Sequence, residues 1–495
     1  MKLGFDNVGY IKKQTESILE RVEKYGNKLY LELGGKLFDD YHASRVLPGY
    51  EPCNKINVLK TMSDKVEIVI AINANDIISG KVRNDSGITY AREVLRLIEV
   101  FQDLGLYVGS VVITQYKTHN LVLKFKKNLE DNNINVYKHY AIEDYPMNIP
   151  LVVGEKGFGK NEYVETTRPV IVVTAPGPGS GKLAVCLSQL YHEKKKGIET
   201  GYAKFETFPI WDLPTDNSIN LAYEAATADL GDVNLIDSYH LQTYGVLAVN
   251  YNRDLDAFPI LDAILKEIYG ENPYKSPTDM GVNKVGCSIS DLEICEIASD
   301  KEIVRRYYQA LEEHSKGNNK TREIKRIEWI MQQAGVIPNS LKEAKKARDK
   351  SKKENGKPVF AISLPNGSIV TGKETELLSA LSSCLLNALK DLSFIPDDKY
   401  LIRPEAIKPI QQLKGIVDSQ QGLQLDGRET LIALATSACL DEEAKTALYK
   451  VAELRGSTAH STVMLTKAEK EILRELGIHT TCEPEYKPHQ KLHMK

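Results

Sequence analysis

The segment that most constrains the fold runs Val170-Ile-Val-Val-Thr174, then Ala-Pro-Gly-Pro-Gly-Ser-Gly, then Lys182-Leu-Ala-Val-Cys-Leu-Ser-Gln-Leu190. Five residues without polar alternation predict a strand covered on both faces, as in a parallel sheet. The glycines predict a tight turn, and the apolar spacing after Lys182 predicts a helix. The same alternation appears upstream. A helical stripe (Ile18, Leu19, Val22) precedes the strand-like Leu29–Leu33. Next come the run Val66–Ile72, a helix near 90–103, the run Leu106–Thr114, a helix near 118–132 and Asn135–Tyr137. Strands alternating with helices predict βαβ units and an α/β fold with a parallel or mixed sheet.

At 495 residues the chain exceeds one ordinary core, so several lobes are expected. Helical periodicity dominates 255–340, and 341–357 holds the basic stretch KEAKKARDKSKKENGK, read as a solvated helix end or a linker. A hairpin around Pro365-Asn-Gly-Ser368 opens a second α/β lobe. Thr371 with Glu374 and Thr466 with Glu469 match the capping box, so a helix is expected after each, with strands at Ser461–Leu465 and near Ile478–Cys482. The expected division is 1–254, 255–340, a linker at 341–357, and 358–495.

The net charge of −3 gives no global field toward nucleic acid, leaving Lys342–Lys353 as the one local basic patch. No stretch has the roughly 20 apolar residues of a membrane span. The N-terminus has no export signal, and the seven cysteines are scattered with no CxxC, which together predict a cytoplasmic protein with reduced thiols.

The strand–turn–helix at 170–190 has the layout of a P-loop, in which small residues let backbone amides converge on phosphate while a helix N-terminus faces the charge. Gly177, Gly179, Ser180, Gly181 and Lys182 are the expected phosphate ligands, with Lys182 also a candidate catalytic cation. Pro176 stands at the first glycine position and Leu183 where a metal-ligating hydroxyl belongs. If Mg²⁺ accompanies a nucleotide here, Glu224, Asp229, Asp237 or Asp254 must supply its oxygens. The plain alternative is a turn whose glycines serve packing.

The residues of this loop, with GYAKFETFPIWDLP, NLAYEAATADL, NYNRD and YKSPTDMGVN downstream, resemble the bacterial family called domain of unknown function 1846. So do GYEPCNKINVLK, GKVRNDSGITY, GLYVGSVVITQY and GFGKNEY upstream and RGSTAHST near the end, so the resemblance covers nearly the whole chain. It implies a multi-lobed α/β protein, a homo-oligomer, and a C-terminal lobe similar to the cytidine-deaminase-like layered topology. It implies no reaction.

Three polar segments are candidate substrate sites. In Gly80–Gly87, Lys81, Arg83 and Asp85 could grip an anionic or polar group. In Gly157–Tyr163, Lys160 and Glu162 stand out. In Lys275–Asn283, Lys275 and Asp279 are catalytic candidates and Ser276 and Thr278 substrate ligands. Each also reads as a solvated loop. The histidines show no zinc pattern, and His460 reads as an acid–base group or a hydrogen-bonded strand residue. The leading expectation is an enzyme holding a nucleotide or other phosphorylated small molecule, with phosphoryl or nucleotidyl transfer as its class. The competing one is a phosphometabolite sensor or scaffold without turnover.

Overall fold

The computed structural model describes residues 3–35, 37–38, 40–83, 87–417 and 423–486. The chain divides into two compact units, one of Lys2–Glu224 with Gly231–Ala298, the other of Ala225–Leu230 with Ser299–Lys495.

The first unit contains β1 (Leu29–Leu33), β2 (Val66–Asn73), β3 (Tyr107–Thr114), β4 (Asn135–Lys138), β5 (Val170–Thr174), β6 (Gly201–Phe205), β7 (Asn234–Ile236), β8 (Val249–Tyr251) and β9 (Gly281–Val282). Seven of these form one sheet in the order β4-β3-β2-β5-β1-β6-β9, and every pair is parallel. Its three central strands are β2, β5 and β1. They bury nearly every residue, as their largely apolar runs require. The chain leaves β2 toward β3 on one side and β5 toward β6 on the other. Connections therefore diverge between β2 and β5, and the C-terminal ends of those strands are where open α/β sheets place their ligand crevice.

Five helices of this unit surround the sheet near its functional edges: α1 (Ala74–Ser79), α2 (Tyr90–Asp103), α3 (Lys182–Lys195), α4 (Ser238–Tyr244) and α5 (Asn252–Tyr269). The buried face of α3, including Val185, Cys186, Leu187 and Leu190, shares a core with Tyr30, Ile171, Val173 and Tyr202 of the sheet and with Phe258, Ile264 and Leu265 of α5.

The second unit has a four-stranded sheet from β10 (Val359–Ser363), β11 (Ile369–Lys373), β12 (Thr458–Ser461) and β13 (His479–Cys482), ordered β11-β10-β12-β13. The first two contacts are antiparallel and the last is parallel. One apolar layer, with Leu381, Leu385 and Leu389 of the helix Ala380–Ser393, packs with Phe360 and Ile362. Ala347 packs with Val359 and Ala361 in a smaller cluster. The basic stretch is therefore a helix, Lys342–Lys353, with Ala344 and Ala347 buried three residues apart and its lysines outward.

Two of the expected elements differ in the structure. Thr371 and Glu374 do not cap a helix, because Thr371 lies within β11 and its hydroxyl accepts from Lys350 Nζ at 2.9 Å, while the next helix is capped by Ser379. The strand expected at Ser461–Leu465 lies earlier, at Thr458–Ser461, because the Ser461 hydroxyl turns back to accept the Val463 amide at 3.3 Å. Thr466 and Glu469 do form a reciprocal capping box.

Candidate functional site

The glycine loop closes the β2/β5 crevice. Its course is set by residues far away in sequence. Thr114, at the end of β3, donates its hydroxyl to the Ser180 carbonyl at 2.8 Å, and Asn73, at the end of β2, approaches the Gly179 carbonyl at 3.5 Å. The Ser180 hydroxyl closes the turn on the Gly177 carbonyl at 2.9 Å. A Cβ on Gly177 would collide with the Tyr90 hydroxyl, and one on Gly181 would stand 3.0 Å from the Thr114 methyl in a left-handed backbone of φ 88°. Gly179 also has positive φ, but a Cβ there would meet nothing within 4 Å.

With its carbonyls turned to Asn73 and Thr114, the loop leaves its amides without acceptors. Among the described residues, those of Gly177, Gly179, Ser180 and Gly181 donate to no protein group, and no side chain caps the start of α3. Lys182, the first residue of α3, is half-buried and has no ion-pair partner among the described residues. A helix N-terminus, free amides and an unpaired ammonium group are thus gathered at the switch point of the sheet. Leu183, where the sequence pattern of a P-loop would have a metal-ligating hydroxyl, packs its side chain against the core and offers no ligand.

Lys81 comes close to this turn through Tyr90. Its ammonium lies 4.6 Å from the Tyr90 ring centroid and 3.3 Å from Asp76. Asn75 of α1 joins the tail of β3, taking Lys117 Nζ at 2.9 Å and donating to Gln115 at 2.8 Å. Arg83 is committed to the buried Glu93 at 2.5 Å, which Arg96 also grips. Asp85 lies outside the described residues.

The other candidates are elsewhere. Lys160 stands over the Tyr140 ring at 4.8 Å, and Glu162 accepts from Lys138. Lys275, Ser276, Thr278 and Asp279 precede β9. In a parallel sheet they therefore lie at the edge where strands begin, opposite the glycine loop. There Ser276 caps the short helix α6 (Pro277–Met280), Thr278 donates to the buried Asp237 at 2.7 Å, Asp279 takes the Tyr244 hydroxyl at 2.8 Å, and Lys275 pairs with Glu271 at 2.9 Å. Of the acidic candidates, Glu224 holds Asn234, Asp237 caps α4, Asp254 pairs with Lys204, and Asp229 is exposed. Among the described residues no group of three His, Cys, Asp or Glu is placed to hold a metal ion. His460 is fully buried, hydrogen-bonded to Thr481 at 2.8 Å and facing Glu483 at 3.2 Å.

One charged cluster was not legible in the sequence. Lys204 and Glu206, two apart in and just after β6, share a sheet face with Glu32, the register partner of Lys204. Lys204 Nζ lies 2.5 Å from Glu206 and 2.8 Å from Asp254, and Tyr202 donates to Glu32 at 2.8 Å. Burial pushes the Glu206 carboxyl up to about 7, Lys204 opposes this, and the nearby Asp254 and Glu32 charges add to it. Burial pushes the thiol of Cys186, one turn beyond Lys182, up; Glu32 adds to this and Lys182 opposes it.

Family models described as the N-terminal and C-terminal parts of domain of unknown function DUF1846 match residues 3–335 and 339–492. The chain belongs to the DUF1846 family. Its DUF1846 relatives include a UPF0371 protein of Streptococcus uberis, 50% identical over 494 residues and covering 100% of both chains. Another is the UPF0371 protein of Streptococcus sanguinis, 50% identical over 485 residues and 98% of each chain. A third, from Streptococcus pyogenes serotype M5, is 50% identical over 493 residues, 100% of this chain and 99% of its own. No helix among the described residues is long and apolar enough to cross a membrane.

Proposed function

We propose that the β2/β5 crevice binds the phosphate of a nucleotide or another phosphorylated small molecule. The anion takes hydrogen bonds from the amides of Gly177, Gly179, Ser180 and Gly181, and Lys182 neutralises it. The observation that carries this reading is that α3 starts uncapped, behind a loop whose amides find no acceptor among the described residues. Such amides are supplied by a ligand or by solvent, and the helix dipole favours an anion among the ligands. Lys81, held at the mouth by Tyr90, is the nearest sequence-predicted candidate for a second anionic contact.

Phosphoryl or nucleotidyl transfer is the reaction class such positioning suits. Leu183 favours a second reading, in which the loop holds a phosphate ester without turnover, because its side chain joins the core and offers no metal ligand. Product formation by purified protein separates the two. For the second unit we propose the deaminase-like layering as a topology only.

Binding is tested by calorimetric titration of ATP, GTP and a sugar phosphate into wild-type protein and Lys182→Ala. At least one ligand should bind wild type, and the variant should lose about tenfold or more in affinity, the worth of a charge-assisted hydrogen bond. Negligible heat with all three, or equal affinity in both proteins, defeats the reading.

A further inference from the structure

Between β7 and β8 the first unit carries an excursion closed by an antiparallel pairing of Asn234–Ile236 with Val249–Tyr251 and filled by α4. Its inner side is well anchored. Tyr239 packs on Phe258 with ring centroids 4.8 Å apart, His240 reaches Ser276 at 3.0 Å, and Asp237 is fully buried on Thr278. Its outer side is apolar and uncovered. Leu235, Ile236, Leu241, Tyr244, Val246 (55% exposed) and Leu247 (63% exposed) all face solvent, and every residue from 241 to 247 is exposed. Leu241 and Tyr244 are three apart on α4 and share a face.

The charge pattern is as telling as the area. Across 234–251 the sequence holds no lysine, arginine or glutamate, and its one aspartate is the buried Asp237. A solvated helix–hairpin of this length ordinarily carries charge outward. Leu235 and Ile236 are neighbours in β7 and point to opposite faces, so about half of each of five large side chains amounts to on the order of 400 Å² of apolar surface on one side, against the roughly 300–600 Å² of the largest patch on a typical monomer. Gln242, Thr243 and Gly245, exposed between them, bring the face toward the roughly 800 Å² per partner that a stable complex buries. In a two-fold contact each group near the axis meets its own copy, so exposed charge would repel itself and an uncharged apolar face does not.

We infer that the β7–α4–β8 excursion is the surface through which two copies of this chain associate. The contact is isologous, with Val246 and Leu247 near its centre and the side-chain amide of Gln242 and the hydroxyl of Thr243 toward its rim. It is independent of the phosphate reading, since it uses neither the glycine loop nor Lys182.

Sedimentation of the full-length protein at micromolar concentration tests it. Wild type should sediment at twice the mass of one chain. Leu247→Glu and, separately, Val246→Lys should each sediment as single chains, a rise of at least tenfold in the dissociation constant, with circular dichroism unchanged because both side chains are solvent-facing in the single chain, and with a melting temperature that no longer depends on protein concentration. A wild-type protein that sediments as one chain overturns the inference, including the case where this face instead takes a different protein or a lipid surface. So does a wild-type dimer that survives in both variants.

Discussion

Gly181 answers to two constraints at once: its φ of 88° and the Thr114 side chain 3.0 Å from where a Cβ would stand. Gly181→Ala is expected to cost about 1–2 kcal/mol for the left-handed backbone alone, more with the contact, read as a lower urea midpoint at unchanged slope. Glu206 yields a pH prediction. Its folded value of about 7 lies above the ordinary 4.5, so the folded state holds a proton the unfolded state has lost between those values. Its contribution is therefore fully present below about 4.5 and lost as pH rises toward 7, at no more than about 1.4 kcal/mol per pH unit. The buried His139, pushed down to about 3 by burial, acts in the opposite sense, destabilising as pH falls below its ordinary 6.5. Glu206→Gln should thus make stability rise more steeply with pH than wild type between 5 and 7, measured by urea unfolding across that range. An unchanged slope would show that Glu206 titrates normally.

At the scale of elements, long uniform segments were readable and short ones were not. Leu29–Leu33 and Val170–Thr174 emerge with the expected bounds because each is a nearly unbroken apolar run between turn residues. The helix Ala74–Ser79 leaves no periodic signal because six residues give too few turns, although Asn73 caps it. The pattern Thr-x-x-Glu occurs at both Thr371 and Thr466, yet only Thr466 caps a helix; pairing with β10 draws Thr371 into a strand, a case of tertiary contact overriding a local motif. Thr466→Ala, and Asp426→Ala at the other capping box in this unit, should each cost about 1 kcal/mol by chemical denaturation.

At the scale of the molecule, the sheet separates residues that the sequence grouped by chemistry. The glycine loop comes after the end of β5, whereas Lys275 to Asp279 precede the start of β9 in the same parallel sheet, so they occupy opposite edges. Lys275→Ala should therefore leave the affinity of any phosphate ligand within about twofold of wild type while Lys182→Ala lowers it about tenfold or more, both read in the same titration. A comparable loss in both variants would contradict this placement.

Chain order and residue type alone determined the α/β class, the strand–glycine–helix unit and the membership of the DUF1846 family, because each is written in contiguous residues. Only the tertiary structure decided what surrounds that unit. Thr114 and Asn73 reach the loop from 66 and 106 residues away, Tyr90 packs on Gly177, and Lys204, Glu206, Asp254 and Glu32 gather from three separate segments. Such meetings arise from strand order and register, which are set by how the whole sheet buries its two faces and leave no local trace in the sequence.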